Sequence, residues 1–479
     1  MRVAIVTAVA SAAVLATGCS LAPRYHVPDA PPATPQYQEL DGWRTAQPMD
    51  AVPRGDWWRL YGDAQLDELE RKAGDANQNI KAAFARLQQA RADTRIARAD
   101  LFPQLTASAS AEREHISPKS PSYLPGKPTT GNDFNLEGDV SYEIDLWGRV
   151  RNEVASAKAS EQASAADLAS LDLSIHAELA TDYFNLRSAD AQQQMLNQTV
   201  HDYQQSLQLT TNLFNGGAAP LSDVAQAQTQ LENALTQATD IGLQREQAAH
   251  AIAVLVGENP SAFHIAVNPL PIEVGPPPVD PGLPSALLER RPDVAETERR
   301  VAAANAEIGV ARAAYFPQFT IDGSLGLNST RSSNWISAPS RFWSIGPQVT
   351  VPLFEAGRLA GQTARAKAQY DEQVADYRNT VLTAYQDVED SLAGLRQLEQ
   401  ESQTVTAAVK AANVALQQAN YRYRAGAVTY LEVATAETTA LQAQLSAASI
   451  QARRLNASVT LIKALGGGWQ PPQAVAKKN

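Results

Sequence analysis

Two periodicities divide the chain. The first is strict alternation. Gln104, Thr106, Ser108, Ser110 and Glu112 interleave with Leu105, Ala107, Ala109 and Ala111. A second stretch sets Asn135, Glu137, Asp139, Ser141, Glu143 and Asp145 against Phe134, Leu136, Gly138, Val140, Tyr142, Ile144 and Leu146. A third sets Gln318, Thr320, Asp322, Ser324 and Asn328 against Phe319, Ile321, Leu325 and Leu327. The fourth sets Ser344, Gly346, Gln348 and Thr350 against Trp343, Ile345, Val349 and Val351. A period of two places each set on its own face of a strand. Four strands of about ten residues, each with one wet and one apolar face, match a membrane barrel. Phe102, Phe134, Trp147, Tyr315, Phe316, Trp335, Phe342 and Trp343 cluster at their ends, where interfacial girdles form.

The second periodicity is helical. From Arg149 to Phe214 there is neither Pro nor Gly, and about 65 residues of helix at ~1.5 Å each would run about 98 Å. Leu179, Leu186, Gln193, Val200, Leu207 and Phe214 recur every seventh position, as do Val388, Leu395, Ser402, Val409, Leu416 and Tyr423. Heptads sustained this long predict coiled-coil packing. Both stretches end in Gly-containing turns, Asn215 to Pro220 and Arg424 to Thr429, since Gly readily takes the positive φ that stops a helix. A second helix then returns, Leu221 to about Val256 and Tyr430 to about Leu465.

The chain also repeats itself. Phe102-Pro103-Gln104 recurs as Phe316-Pro317-Gln318, an offset of 214 (316 − 102), whereas Gly148-Arg149 recurs as Gly357-Arg358, an offset of 209 (357 − 148). The first copy therefore carries five additional residues between 104 and 148 (214 − 209), which the Pro/Ser/Gly/Thr segment Ser117 to Gly131 accommodates as a loop. Each copy is a strand hairpin followed by a helical hairpin. A soluble sheet with one wet face is the ordinary source of alternation, but no other sheet is predicted to cover these strands. Four strands cannot close a barrel, and lipid does not tolerate an open edge. Several chains must then contribute to one barrel.

Composition narrows the function. The chain has 479 residues, with 40 Lys+Arg against 51 Asp+Glu, a formal charge of −11. Without a basic cluster, nucleic acid is not an expected partner. Cys19 is the single cysteine, which excludes intrachain disulfides and multi-thiolate metal sites. It follows an uncharged apolar run, Val3 to Ala16, preceded by Arg2, the pattern of a secretory signal peptide. Leu15-Ala16-Thr17-Gly18-Cys19 resembles a bacterial lipobox, with Leu15 four residues before the cysteine instead of three. Acylation of Cys19 would tether the chain to the outer membrane, Ser20 standing where Asp signals inner-membrane retention.

Taken together, these residues resemble the TolC-like outer-membrane factors, in particular their lipoprotein branch. The resemblance rests on Trp57-Trp58 with Asp63, Leu66 and Leu69; on Asn77-Gln78-Asn79-Ile80; on Arg291-Pro292-Asp293-Val294; on Ala303 to Gly309; and on Asp145-Leu146-Trp147-Gly148-Arg149 and Leu353 to Arg358. It covers nearly the whole mature chain. It implies an α + β membrane protein: a homotrimer whose three sets of four strands make one barrel (3 × 4 = 12), continued by a long α-helical coiled-coil barrel. Its parts would be a signal peptide (1–18), a lipidated extended segment (19–61), repeat 1 (62–256; strand hairpin 102–146, helical hairpin 149–256), an equatorial linker (257–284), repeat 2 (285–465; strand hairpin 316–353, helical hairpin 357–465) and a tail (466–479). It also implies a periplasmic adaptor, or membrane fusion protein, at the hairpin tips Gly216, Gly217, Arg424 and Gly426, and an inner-membrane transporter of the resistance-nodulation-division type. No catalytic residue and no cofactor are implied beyond the diacylglycerol and acyl chain on Cys19. The closed end of the family's tunnel follows the second helical turn, where Tyr430-Leu431-Glu432-Val433-Ala434-Thr435-Ala436 departs from the pattern. Thr435 stands in place of the usual aspartate and Thr438 where arginine is common. The expected gate is an apolar ring of Leu431 with Asp223 and Glu432, related by 209, nearby; the alternative is that these acids serve their helix N-termini.

Two other classes fit the sequence less well. An anchored enzyme lacks support, because the six histidines are scattered and His176-Ala177-Glu178 has no partner at metal-ligand spacing. A non-conducting envelope lipoprotein would share the helices but carry no current. Asn135, Glu137, Asp139, Glu143 and Asp145 predict an acidic lumen that favours cations, and the sequence assigns no cargo.

Overall fold

The computed structural model describes residues 20–40, 55–121, 124–126, 128–271, 275–279 and 290–467. The signal segment, Cys19 and the C-terminal end from 468 lie outside the described residues. Helices α1 (Ala64–Ala76) and α2 (Gln78–Ala99) come first, followed by strands β1 (Gln104–His115) and β2 (Thr130–Glu143) and helices α3 (Arg149–Asn215) and α4 (Leu221–Leu255). The order then recurs as α5 (Pro292–Ala313), β3 (Gln318–Ser329), β4 (Arg341–Thr350), α6 (Arg358–Arg424) and α7 (Tyr430–Ala464). Helices α3 and α6 have 67 residues each, α4 and α7 have 35 each. All four helix boundaries differ by 209 (358 − 149, 424 − 215, 430 − 221, 464 − 255). Among the described residues no helix is long and apolar enough to cross a membrane.

The chain forms two compact units. One comprises the residues up to Asp29 with Arg86–Ala165 and Glu296–Tyr377; the other comprises Ala30–Ala85, Ala166–Ala295 and the residues from Arg378 on. The first holds the antiparallel sheet, in the order β1-β2-β3-β4. Its two hairpins share one register: Gln318 pairs with Thr350, and subtracting 214 and 209 gives Gln104 and Ser141, also a pair. The last hairpin-2 pair, Leu327 with Arg341, maps onto Arg113 with Asn132 (327 − 214, 341 − 209). The five added residues of the first copy therefore lie beyond that pair, at the loop end. Among the described residues, strands β1 and β4 have a neighbour on one side only.

The second unit is helical. Asp63 caps α1 by accepting from the Gln65 and Leu66 N–H groups at 2.9 and 3.2 Å, which leaves Leu66 and Leu69 aimed into the core. They pack with Trp57, Trp58, Leu179, Leu186, Ile252 and Leu455, each such burial contributing about 1.5–3 kcal/mol. The heptad positions Leu179, Leu186, Val388 and Leu395 are buried, Val200, Leu207, Val409 and Leu416 are half-buried, and Phe214 is exposed. Burial along both seams thus declines toward the turns. Two arginines, one buried and one half-buried, fix the segment after α4. Arg187 contacts Asp63 at 2.9 Å and the Asn268 carbonyl, and Arg245 contacts Asp190 at 2.6 Å and the Ile265 carbonyl at 3.1 Å.

Candidate functional site

The register sorts the strand side chains into two faces. Thr106, Asp139 and Ser324 share one row, as do Ser108 and Glu137, and Ser110, Asn135 and Asn328. This polar face is cross-linked by its own side chains: Ser141 donates to Asp322 at 2.6 Å, Asn328 to Asp133 at 2.8 Å and Asn135 to Glu137 at 3.0 Å. Every charged residue on it within the four strands is acidic, so a ligand passing this face meets a negative field. The opposite face carries Leu105, Leu325, Trp343, Ile345 and Val349, all exposed. Its polar members Arg113, His115, Asn132 and Arg341 gather at the loop end. An exposed apolar band bounded by polar residues is a surface made for lipid.

Of the expected lumen residues, Glu143 keeps to the polar face, opposite Thr320, and Asp145 belongs elsewhere. Glu143 is the last residue of β2, and its carboxylate is held bidentately by Arg149 at 2.9 and 2.6 Å. Asp145 lies two residues past the strand, where it accepts from the Val150 and Arg151 N–H groups and pairs with the Arg151 side chain at 3.0 Å. It caps α3. The alternation simply ran on past the point where the backbone turned. Asn135, Glu137 and Asp139 do sit on the polar face, joined by Asp133 and Asp322. Among the aromatics, Trp147 packs on Phe316 at 4.8 Å and Phe134 on Trp335 at 5.6 Å, at opposite ends of β2. Phe342 faces the polar side, opposite Gly326, so it is no part of a lipid girdle.

The two helix turns have the same construction. The Ala218 N–H reaches the Leu213 carbonyl and the Gly217 N–H reaches Phe214; the Ala427 N–H reaches Arg422 and the Gly426 N–H reaches Tyr423. That pair of bonds requires a left-handed residue, which Gly217 (φ 73°) and Gly426 (φ 71°) supply. Gly216 and Arg424 flank them, both exposed.

Just beyond the second turn, Leu431 is 57% exposed, and Glu432 pairs with Arg422. Asp223 and Glu432 both stand in the first turn of their helices, and Asp223 helps raise the Tyr423 pKa behind the larger effect of burial. The Thr435 hydroxyl donates back to the Leu431 carbonyl at 2.8 Å, and Thr438 donates to Gln230 of α4 at 3.1 Å. Leu431, Glu432 and Thr435 line a groove of about 490 Å³ with Ala412, Ala415 and Ala419 of α6.

Three features escape the pattern reading because each depends on a side-chain contact that periodicity does not report. Arg422 closes on Glu432 across the turn. Glu437 is buried beneath it, with the Tyr430 hydroxyl donating at 3.3 Å and desolvation pushing its pKa up to about 7. His176 is not isolated: its Nδ1 lies 2.6 Å from Glu70, its ring stacks on Trp58 at 4.5 Å, and Asp172 stands 3.6 Å from Nε2.

Cys19 lies outside the described residues, but the residues after it are firmly placed. Ser20 donates to Asn152 at 3.0 Å, Asn305 donates to the Pro23 carbonyl at 2.9 Å, and Tyr25 donates to Glu298. A side chain at Gly309 would come within 2.7 Å of Ala22, so this strap needs the bare backbone of α5. Among the described residues no group of three or more His, Cys, Asp or Glu could hold a metal ion.

Comparison with known proteins agrees with this geometry. The family model for outer membrane efflux protein matches residues 70–258 and again 283–467. The pyoverdine export outer membrane protein OpmQ of Pseudomonas aeruginosa is 34% identical over 444 residues, covering 91% of this chain and 93% of that protein. The solved structure of the outer-membrane channel OprN is 30% identical with a TM-score of 0.83, covering 95% of this chain and all of that one. The CmeC outer membrane channel of Campylobacter jejuni superposes with a TM-score of 0.86 at 26% identity, covering 95% and 96%. This chain belongs to the outer membrane efflux protein family.

Proposed function

We propose that this outer-membrane efflux protein works as one third of a homotrimeric exit duct, passively conducting what a periplasmic adaptor and an inner-membrane transporter deliver. One observation carries the reading. The sheet has two unpaired edges, one apolar face and one polar, acidic face. In a bilayer an edge must be paired, and closing three such sheets into a barrel puts the apolar face on lipid and the acidic face on the lumen. The helical hairpins then continue the conduit into the periplasm.

Further assignments follow. Cys19 carries the diacylglycerol and acyl chain that hold the trimer to outer-membrane lipid. Gly216, Gly217, Arg424 and Gly426 form the tips that the adaptor grips, and the transporter is of the resistance-nodulation-division type. Leu431 and Thr435 line the periplasmic constriction, with Asp223 and Glu432 beside it. Cargo selection lies with the transporter.

Purified protein tests the reading directly. It should run as a heat-modifiable trimer and give single-channel current in a planar bilayer, with cations favoured over anions. Trimers that carry no current would make it a spacer and remove the duct.

A further inference from the structure

We infer that strand β4 of one copy pairs antiparallel with β1 of the next copy in a fixed register, Thr350 opposite Ser108 and Val349 opposite Ala109. Leu353 of the first copy then covers Leu105 of the second. The inference rests on the trimeric reading above and adds the atomic alignment of its seam.

The sheet contains two kinds of junction: the hairpins β1–β2 and β3–β4, and the central β2–β3. The two hairpins have been shown to share one register under the offsets 214 and 209. A ring of copies needs only one more junction, β4 against the next β1. Adding 209 turns β2 into β4, and subtracting 214 turns β3 into β1, so this junction repeats β2–β3. The observed pair Ser141 with Asp322 becomes Thr350 with Ser108 (141 + 209, 322 − 214), and Val140 with Gly323 becomes Val349 with Ala109. Both members of each pair fall on the same face, as closure requires. A slip of one residue would turn the apolar face inward; a slip of two would not.

Exposure singles out the same residues. Past the end of β2, the Ile144 N–H donates to the Phe319 carbonyl at 2.8 Å, and both side chains are half-buried. Their counterparts are Leu353 and Leu105 (144 + 209, 319 − 214), which are 93% and 78% exposed. Phe316, covered by Trp147, is 39% exposed, whereas its counterpart Phe102 is 68% exposed. The counterpart of Trp147 is Ala356 (147 + 209), too small to cover a ring. Phe354 stands two residues away at 87% exposure, and it is the side chain that reaches Phe102 of the next copy. One ladder bond is missing from this seam. Alternate residues of β2 donate to β3 as Ile144 does, which includes Gly138, and the counterpart of Gly138 is Pro347 (138 + 209). Proline has no N–H to give, so the seam forgoes that one bond and is held by the other bonds of its ladder.

Cysteine pairs in the full-length chain test the register. Within one copy β1 and β4 are three strand spacings apart, about 14 Å, beyond the ~4.4–6.8 Å between Cα atoms that a disulfide spans. Any disulfide between them therefore joins two copies. Mild oxidation of Ser108→Cys with Thr350→Cys should give a covalent trimer on a non-reducing denaturing gel, reversed by reductant. The pairs Thr106→Cys with Thr350→Cys and Ser110→Cys with Thr350→Cys keep the same face but shift the register by two. They should close at least about tenfold more slowly, because their side chains are diagonal. Faster closure of either shifted pair overturns the register and leaves the trimer intact. Protein that sediments as a trimer but cross-links through none of the three pairs overturns the β4–β1 seam. Protein that sediments as a monomer overturns the trimeric reading itself.

Discussion

Glu437→Gln should stabilise the protein at pH 8 and leave it unchanged near pH 4.5. Glu437 lies on α7, 9% exposed, beneath the second helix turn with Tyr430 donating to it at 3.3 Å. Desolvation is the main cause that raises its pKa from 4.5 to about 7, the nearby Asp202 charge adding to it and the Tyr430 hydrogen bond opposing it. Because the folded-state pKa lies above the unfolded one, the folded chain keeps a proton through this window that the unfolded chain has released. Stability therefore falls as pH rises from 4.5 to about 7. The slope is about 1.4 kcal/mol per pH unit for one proton, so the whole window is worth roughly 3 kcal/mol per chain. Glutamine has nearly the same shape, carries no charge, and occupies the repeat-related position 228 (437 − 209). The assay is thermal unfolding in detergent, followed by helical circular dichroism, of both proteins at pH 4.5 and pH 8. A gain of the same size at both pH values would show that the carboxylate's desolvation is not the cause. A loss at pH 8 would show that the ionised group is satisfied in the assembled protein, and the reasoning would be wrong.

Leu431→Ser should raise the leak conductance of trimers in a planar bilayer; an unchanged leak removes Leu431 from the constriction. Arg187→Ala breaks a buried pair with Asp63, at a cost of about 3–5 kcal/mol, and Arg187→Lys should recover only part because a single ammonium cannot also serve the Asn268 carbonyl. Full thermal stability of the alanine variant would refute this. Gly309→Val drives a side chain into Ala22 and Asn152, costing about 1–3 kcal/mol, and should make trypsin cut at Arg24 faster than in the parent protein. Amide exchange should be slower at Leu186 and Leu395, where the seams are buried, than at Phe214 and Tyr423; equal protection along the helices would contradict the decline in packing.

Much of the fold was legible because its elements are long and strictly periodic. Leu105 to Ala111 and Phe134 to Tyr142 alternate without interruption, and the absence of Pro and Gly from Arg149 to Phe214 left only a helix. The same regularity misled at Asp145: the alternation continues through it, but the chain has already turned, and the carboxylate satisfies the first N–H groups of α3. His176 looked unpartnered because Glu70 is 106 positions away. Nothing in the periodicity marks Glu437, since its burial depends on how α4, α6 and α7 meet around Tyr430 and Val433. Periodicity specifies which face a residue occupies; it does not specify what that face will meet.

The two hairpin tips illustrate the distinction. Their backbones are the same motif, with Gly217 and Gly426 in the same left-handed conformation. Their side chains are not equivalent. The second tip has Arg422 on Glu432 and the ring of Tyr423 on that of Tyr430 at 5.6 Å. The corresponding positions of the first are Leu213, Asp223, Phe214 and Leu221, which offer neither the cation nor the hydroxyls. A trimer would therefore present two chemically distinct kinds of tip in alternation, three of each. Only the second kind carries an ion pair that must separate if Arg422 is to turn toward a partner. Both members of that pair are about half exposed, and such pairs are worth about 0–1 kcal/mol. A docking partner with even a modestly higher affinity for the open arrangement can shift that equilibrium.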